Sequence, residues 1–479
     1  MIISTLLSVG ALASAQALNM SPDTALADIE LARDALERVH PGYDRYIERD
    51  QLDAGWSRLE ARARAGVSRE QLYLDLSLLL SDIRCDHTKA ELPRDLAELR
   101  DSEPVYLPFR FRVFEGRMYV EEPGTTGLQR GDEILTVDGD AASDRLAAIY
   151  PLIPVDGFTD SVRTRVIEST SEFLGSGFDH FDPLMNEVSA QVQLTAHRDG
   201  ETLAVLADRL TYPEFRALTG EARWRNFSDE GNVTVEYPQE GVAILRQGTF
   251  VNYRTPVDPL TVYGPVFEDI AANNTETLIL DMRENGGGST DAQRGLMAHL
   301  LSAPHAPVRE VRVATYDLDG LREHLQTWEQ AALNPDPAWF TQAEDGNGFI
   351  LNPAISGAGQ EVQPAENAFT GELIILTGPL NSSGATQIIG ALRDQRDALL
   401  VGEATGGSQE GPTANLIFFL ELPNSGIRVR VPAQRNYQNI SDPEIGLGYT
   451  PDLQAPETLE SWLNGADPAM DAALAAAAD

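Results

Sequence analysis

The chain has little cysteine, little basic charge and no long apolar run after its first residues. Its 479 residues include one cysteine, Cys85, so an internal disulfide is impossible. No later stretch reaches about 18 consecutive apolar residues, the length that a transmembrane helix needs. Lysine and arginine total 36 against 74 aspartate and glutamate residues, which gives a formal net charge of −38. This charge repels phosphate backbones and anionic membranes, so we expect no nucleic-acid partner and no integral membrane segment.

The lone cysteine stands two residues before His87, which raises two kinds of chemistry. The first is a Cys/His nucleophile pair, although a single cysteine is more often a small buried apolar residue. The second is a zinc site, but the chain has no second cysteine and no His-x-x-x-His spacing. We therefore expect no metal and no organic cofactor.

The N-terminus has the features of an export signal. Residues 1–15 form a short apolar run that closes on Ala13-Ser14-Ala15, with Ala15-Gln16-Ala17 beside it. Small residues at this spacing are typical of signal-peptide cleavage, although no lysine or arginine precedes the run. We predict a signal peptide over residues 1–17 and a periplasmic or secreted protein.

The remaining length predicts several domains, since a single core rarely grows this large. Residues 18–100 are expected to be a helical module. Its first helix has Ser21 as the N-cap and Pro22 at the first helical position, and a second helix covers 69–83. Residues 101–208 contain short strand patterns, followed by a stretch from Asp144 to Asp208 that we expect to be irregular. The acidic, aromatic run 178–182 in this stretch is interpreted as a solvated loop.

Residues 209–479 alternate between apolar strands and helices, which predicts a mostly parallel or mixed sheet covered on both faces. An insert at 316–369 is interpreted as a surface elaboration, with a lid or a substrate-facing hairpin as the alternative. The expected strands are 242–246, 277–282, 372–376 and 398–401, and the expected helices are 265–272, 291–301 and 384–393.

Two segments of this region suggest acyl-transfer chemistry. The strand that ends at Asp281 leads into Arg283, Asn285 and the triple glycine 286–288, whose backbone N–H groups are open to a developing oxyanion. About a hundred residues later, Ser383 stands between a strand and a helix, where a nucleophile gains from the helix dipole. The alternative is that Ser382 or Ser383 only caps the helix.

These two segments together resemble the core of the C-terminal-processing (tail-specific) serine peptidases, a family that includes the tricorn core protease and the interphotoreceptor retinoid-binding proteins. The resemblance implies a multi-domain α/β fold with a crotonase-like ββα-spiral catalytic core. The residues from Leu128 to Gly139 resemble the Leu-x-x-Gly-Asp-x-Ile-x-x-Val-x-Gly signature of PDZ domains. They imply a PDZ-like segment that either captures chain ends or only supports the cleft.

The family pattern implies the catalytic residues, with two departures. Ser383 matches the nucleophile, but Thr386 replaces the family's glutamate after it, and Ser408 replaces the lysine that is the general base in the tail-specific branch. A serine cannot act as that base. The tricorn-like branch uses a histidine, and His87 in the segment Ile83-Arg84-Cys85-Asp86-His87-Thr88 is the matching candidate.

A histidine base needs a carboxylate or a similar group to orient it. The segment from Asp442 to Asp452 offers Glu444 first and Asp442 second, by resemblance to the tricorn-like branch. For the oxyanion hole we assign a backbone N–H of Gly286 or Gly287 together with that of Gly384.

The sequence thus predicts a serine endopeptidase that cleaves peptides or unfolded proteins through an acyl-enzyme. One alternative is an inactive relative that binds peptides or hydrophobic ligands, which the absence of the family's lysine and glutamate favours. The other alternative is a hydrolase of non-peptide acyl groups that uses the same serine. The sequence predicts nothing about the oligomeric state.

Overall fold

The structure is a computed structural model that describes residues 19–169, 176–219 and 226–478. The predicted signal peptide, residues 1–17, lies outside the described residues. Among the residues that are described, no helix is long and apolar enough to cross a membrane.

The helices and strands alternate along most of the chain. The α-helices are α1 Pro22–Val39, α2 Arg49–Ala65, α3 Arg69–Asp82, α4 Arg94–Ser102, α5 Ala142–Ile149, α6 Ser161–Glu168, α7 Gly177–Met185, α8 Tyr212–Thr219, α9 Pro259–Ala272, α10 Thr290–Leu300, α11 Pro353–Ser356, α12 Ser383–Arg396, α13 Leu459–Asn464 and α14 Pro468–Ala476. The strands are β1 Asn19–Met20, β2 Val67–Ser68, β3 Ala90–Glu91, β4 Arg110–Phe114, β5 Arg117–Glu122, β6 Glu133–Val137, β7 Asp140–Ala141, β8 Gln191–Arg198, β9 Glu201–Asp208, β10 Val233–Gln239, β11 Val242–Gln247, β12 Thr277–Asp281, β13 Val308–Val313, β14 Leu325–Gln326, β15 Phe340–Gln342, β16 Phe349–Leu351, β17 Glu372–Thr377, β18 Leu399–Gly402, β19 Thr413–Glu421, β20 Arg428–Gln438 and β21 Leu453–Gln454.

The N-terminal helices begin where their caps predict. The Ser21 hydroxyl accepts a hydrogen bond from the Thr24 N–H at 3.2 Å, and Pro22 occupies the first helical position of α1. The Ser68 hydroxyl caps α3 in the same way. Helix α2 was not predicted, although its buried residues recur at helical spacing: Leu52, Trp56, Leu59 and Ala63.

The second region is an antiparallel sheet in the order β4-β5-β6-β8-β9, with β7 paired to β6. The prediction of an irregular stretch from Asp144 to Asp208 is wrong, because β8 and β9, two strands of eight residues each, form a hairpin at its end. The side chains of Val192, Leu194 and Ala196 are buried on one face of β8, which is the period-2 pattern of a half-buried strand.

The run 178–182 is not a solvated loop but part of the buried helix α7. Its polar groups are buried because each has a partner. The Arg100 guanidinium donates to the carbonyls of Asp179 and His180 at 2.9 and 2.8 Å, and Arg145 donates to the Asp182 carboxylate at 3.0 Å. A charge that is paired and hydrogen-bonded in this way can leave water at an acceptable cost.

The third region contains the predicted mixed sheet, in the order β10-β11-β12-β17-β18-β21. Strand β10 is antiparallel to β11, and the remaining pairs are parallel. Strand β12 is buried on both faces, since Leu278 and Leu280 pack into one core cluster and Ile279 into another. Parallel strands covered on both sides require such continuous apolar sequences.

A second, antiparallel sheet lies beside the first, in the order β14-β19-β20-β13-β16-β15, and β3 pairs with β20. The long hairpin of β19 and β20 is its centre. The insert 316–369 contributes β14, β15 and β16 to this sheet, which anchors the insert to the body of the molecule. The pairing of β3 with β20 fixes the segment that precedes it, 83–89, against this region.

Candidate active site

The glycine-rich loop and the serine turn lie at the same edge of the parallel sheet. Strands β12 and β17 are parallel neighbours, with Asp281 opposite Leu376. Each of these two strands therefore releases its loop at the same edge, where open α/β sheets form their ligand crevices. The topology thus brings together two segments that are about a hundred residues apart in sequence.

Two buried asparagines fasten the loops to each other. The Asn381 amide donates to the Asn285 carbonyl at 3.1 Å, and its oxygen accepts the Gly378 N–H at 2.9 Å. The Asn285 amide donates to the Gln247 carbonyl at 3.2 Å, which ties the glycine loop to β11. Both asparagine side chains are fully buried, so these bonds are shielded from water and hold the two loops in one arrangement.

Ser383 has a strained backbone at the start of α12. Its φ is +49°, in the left-handed region that non-glycine residues seldom occupy. Ser382 precedes it with an extended backbone and makes no side-chain cap bond to the helix. The cap interpretation therefore lacks the hydrogen bond that defines a cap, whereas strain at a strand-to-helix turn is typical of an exposed nucleophile.

The glycine loop approaches the serine turn more closely than any side chain would permit. A Cβ on Gly287 would lie 2.7 Å from the Gly384 nitrogen and 3.1 Å from the Ser383 Cβ. The φ of Gly287 is +100°, which also favours glycine. The loop therefore packs directly against the serine turn.

We expect Gly287→Ala to lower kcat at least about 100-fold, the effect of losing an oxyanion-hole donor, because the new Cβ pushes the loop off the Gly384 amide. Hydrolysis of a denatured protein measures the effect. Gly378→Ala is the matched control, since its Cβ would meet its nearest neighbour, the Arg283 carbonyl oxygen, at 3.4 Å. Full activity in Gly287→Ala would show that this loop plays no part in catalysis.

The three amides assigned to the oxyanion hole are not equivalent. The Gly287 N–H donates to the side-chain oxygen of Asn285 at 2.8 Å, so it is already in use. Within the described part of the chain, the N–H groups of Gly286 and Gly384 make no hydrogen bond. Gly384 lies in the first turn of α12, where N–H groups have no partner within the helix. The free donors are therefore those of Gly286 and Gly384.

His87 is linked to the serine turn at this edge of the sheet by Asp86, the residue before it in the sequence. Its Nδ1 atom lies 2.5 Å from an oxygen of Asp86, and the other Asp86 oxygen accepts a hydrogen bond from the Ser382 hydroxyl. The contact between Asp86 and His87 is close but is not aligned as a hydrogen bond. In the described residues the Ser383 hydroxyl has no hydrogen-bond partner, and hydrogen bonds between catalytic groups are often unformed in the absence of substrate.

The charges around His87 are strongly coupled. Burial disfavours the charged ring, but the adjacent Asp86 carboxylate outweighs it and raises the pKa of His87 to about 10. Burial likewise opposes ionisation of Asp86, yet His87 and the Ser382 hydroxyl lower the pKa of Asp86 below its usual range. At neutral pH the resting site is therefore an imidazolium–carboxylate pair.

The structure pairs His87 with Asp86 and not with Glu444. The Glu444 carboxylate accepts from the Gln409 side chain at 3.2 Å, and the Glu444 N–H donates back to that amide at 3.1 Å. Glu444 and Asp442 line a polar surface groove together with Arg393. The assignment of Glu444 followed a family motif, and the loop 442–448 places this carboxylate against Gln409.

Sequence reasoning missed a buried polar cluster behind His87. Ser408, at the position of the family's lysine, is 1% exposed and bonds Asp156 through its N–H and hydroxyl at 2.8 and 2.7 Å. Burial, together with the charges of Asp86 and Cys85, raises the pKa of Asp156 to about 7. The sequence signal for this cluster was the serine at the position of the family's lysine, since a buried serine hydroxyl at residue 408 needs a hydrogen-bond partner.

The other departure from the family pattern is also accommodated. The Thr386 hydroxyl donates to the Asn381 carbonyl at 3.1 Å, inside the first turns of α12. Gly407 packs against this threonine, since a Cβ there would lie 2.4 Å from the Thr386 oxygen. A larger glutamate would not fit this contact without movement of the loop 403–411.

Comparison with known proteins places this arrangement in a family. The model of peptidase family S41 matches residues 264–455, which include the glycine loop and the serine turn. This part of the chain is similar to peptidase family S41. The match supports a serine peptidase, and it confirms the resemblance that the two segments suggested.

Solved structures confirm the multi-domain α/β fold. Mature CPAF complexed with lactacystin superposes with a TM-score of 0.62 at 17% identity, over 92% of this chain and 95% of that one. Mature CPAF alone gives the same TM-score at 16% identity, over 92% and 94%. A search of curated protein sequences gives no match. At this identity the structural likeness establishes the fold, while the S41 match concerns the catalytic region.

Proposed function

We propose that the protein is a serine endopeptidase of the S41 family in which Ser383 is the nucleophile and His87 the general base. The observation that carries this proposal is the strained Ser383 at the head of α12, held against a glycine loop that leaves the Gly384 amide free. A nucleophile and an oxyanion donor that belong to adjacent residues suit acyl transfer.

In the proposed reaction the Ser383 hydroxyl attacks the scissile carbonyl and gives its proton to His87. Since Nδ1 of His87 faces Asp86, the Nε2 atom is the one that takes the proton. The oxyanion is stabilised by the amides of Gly384 and Gly286. The protonated His87 then donates to the leaving amine, and a water molecule activated by the neutral ring hydrolyses the acyl-enzyme.

Asp86 takes the role that the sequence assigned to Glu444. Its carboxylate is held on one side by the Ser382 hydroxyl and contacts the His87 ring on the other. A carboxylate in this position orients the imidazole and stabilises the imidazolium that forms during attack. His87 therefore has no need of a further carboxylate.

Peptides or unfolded proteins are the proposed substrates, and the periplasm or the surrounding medium is the proposed location. The predicted signal peptide over residues 1–17 supports export. The PDZ-like segment is proposed to bind substrate chain ends, which suits a family that includes tail-specific peptidases.

A fluorophosphonate probe tests the proposal directly, because it reacts with serines that a base and an oxyanion hole activate. We expect the native protein to be labelled on Ser383, located by mass spectrometry of the digested protein. The heat-denatured protein is the control and should remain unlabelled. Absence of labelling in the native protein would favour the inactive, ligand-binding alternative.

A further inference from the structure

Three consecutive residues, which include the proposed base His87, hold three different metal-binding atoms close together. The sulfur of Cys85, a carboxylate oxygen of Asp86 and a ring nitrogen of His87 all lie within 4.8 Å of one another. Tetrahedral zinc with bonds of about 2.0–2.3 Å needs ligand atoms about 3.3–3.8 Å apart, so small side-chain rotations would complete the geometry. The side chains of Asp86 and His87 are 23% and 21% exposed.

The buried residue His40 interacts with Cys85, and one of its ring nitrogens has no hydrogen-bond partner in the described structure. His40 is 2% exposed, and its Nδ1 accepts the Gly42 N–H at 3.0 Å. A neutral ring that accepts at Nδ1 has its proton on Nε2, and this Nε2 makes no hydrogen bond in the described structure. The group that it influences is the Cys85 thiol, which also interacts with His87.

A purely structural role does not account for this set. A cysteine that only fills space is inert and does not need two imidazoles beside it. The present contact of the Cys85 thiol, with the Thr413 carbonyl at 3.6 Å, is weak. By contrast, metal-bound groups usually have a hydrogen-bond partner outside the metal's own ligands, and the Nε2–H of His40 could serve the Cys85 sulfur in this way.

We propose that Cys85, Asp86 and His87 form a site for a zinc-like divalent cation, with His40 supporting the sulfur from behind. Mixed sulfur, nitrogen and oxygen donors suit zinc, whereas calcium and magnesium prefer oxygen alone. Binding releases the thiol and imidazolium protons to solvent as the metal bonds form. The formal net charge of −38 raises the local concentration of cations around the molecule.

The site is regulatory and not a catalytic cofactor site, a consequence that rests on the peptidase function proposed above. A metal ion bound to Nε2 of His87 occupies the lone pair that would accept the Ser383 proton. A metal ion bound to Nδ1 displaces the contact with Asp86 that orients the ring. Occupation of the site therefore inhibits hydrolysis, and a chelator restores it. The bound ion would keep the peptidase inactive wherever the concentration of free zinc is high.

Cobalt(II) tests the site without depending on activity. A thiolate bound to cobalt gives a sulfur-to-metal charge-transfer band in the near ultraviolet, and Cys85 is the sole source of such a band because the chain has one cysteine. We expect the wild-type protein to develop this band with one equivalent of cobalt and to lose it when zinc is added. No band in the folded wild-type protein would overturn the proposal.

Variants separate the site from its proposed effect. Cys85→Ser should abolish the band and raise the zinc concentration for half-inhibition at least about tenfold. His324→Ala, which alters a partly exposed histidine beside Glu323, is the control and should retain both responses. Equal zinc inhibition of Cys85→Ser and wild type would place the inhibitory ion elsewhere. A cobalt band in a protein that hydrolyses nothing would retain the site and reject the peptidase function.

Discussion

Replacing Ser383 by alanine is expected to lower kcat/KM for a denatured protein substrate at least about 10⁴-fold, since no other group can form the acyl-enzyme. The fold should be unchanged. Serine and alanine both have a Cβ, so the φ of +49° strains the variant and the wild type to a similar extent. The Ser383 hydroxyl also makes no hydrogen bond in the described part of the chain, so its removal leaves no unpaired group. Hydrolysis rates and thermal unfolding of both proteins check the two expectations.

Ser382→Ala is the matched control for that experiment. Ser382 is the adjacent serine of the same turn, and its hydroxyl donates to Asp86. Its loss should weaken the positioning of Asp86 and reduce kcat/KM roughly tenfold, the equivalent of one hydrogen bond of about 1.5 kcal/mol. If Ser382→Ala were inactive and Ser383→Ala active, the nucleophile would be Ser382.

The parallel sheet and its two loops could be predicted from the sequence because their signals are local. Strand β12 is a continuous apolar run that ends in a triple glycine, and β17 ends before a serine and a helix. Sequence order also predicts that parallel strands release their loops at one edge. The meeting of Ser383 with the glycine loop therefore needed no knowledge of distant contacts.

One wrong sequence prediction concerns residues whose burial depends on partners that are distant in the sequence. The run 178–182 is polar enough to suggest a loop, but from other helices Arg145 pairs with the Asp182 carboxylate and Arg100 donates to backbone carbonyls of the run. The hairpin of β8 and β9 was missed for a different reason. Its alternation of apolar and polar residues is visible in the sequence and was overlooked.

The assignment of Glu444 rests on a sequence motif and stays a prediction. The motif gives a carboxylate near the right place in the chain, but it cannot show which way a loop turns. The structure turns the loop 442–448 so that Glu444 meets Gln409, while Asp86, adjacent to the histidine in sequence, contacts the ring. The structure therefore offers Asp86 as a second candidate for the orienting carboxylate.

The choice between Asp86 and Glu444 leads to the second large expected effect. We expect Asp86→Asn to lower the plateau value of kcat/KM, which is reached at alkaline pH, about 10³- to 10⁴-fold, because the imidazolium formed during attack loses its counter-charge. Glu444→Gln is the matched control, an acid-to-amide change on the other candidate carboxylate, and it should retain activity within about threefold. Large loss in Glu444→Gln with little in Asp86→Asn would restore Glu444 as the orienting group.

The pH profile distinguishes this electrostatic role from a structural one. Because a general base must be neutral, kcat/KM rises with pH until the pKa of the base in the free enzyme is passed. In the wild type, Asp86 raises the pKa of His87 to about 10, so the rise should extend into the alkaline range. Without that carboxylate the pKa of His87 should be lower, so the Asp86→Asn profile should level off at lower pH and at a lower plateau. A chelator in every assay excludes metal inhibition, and an unshifted profile with a lower plateau would mean that Asp86 acts only through packing.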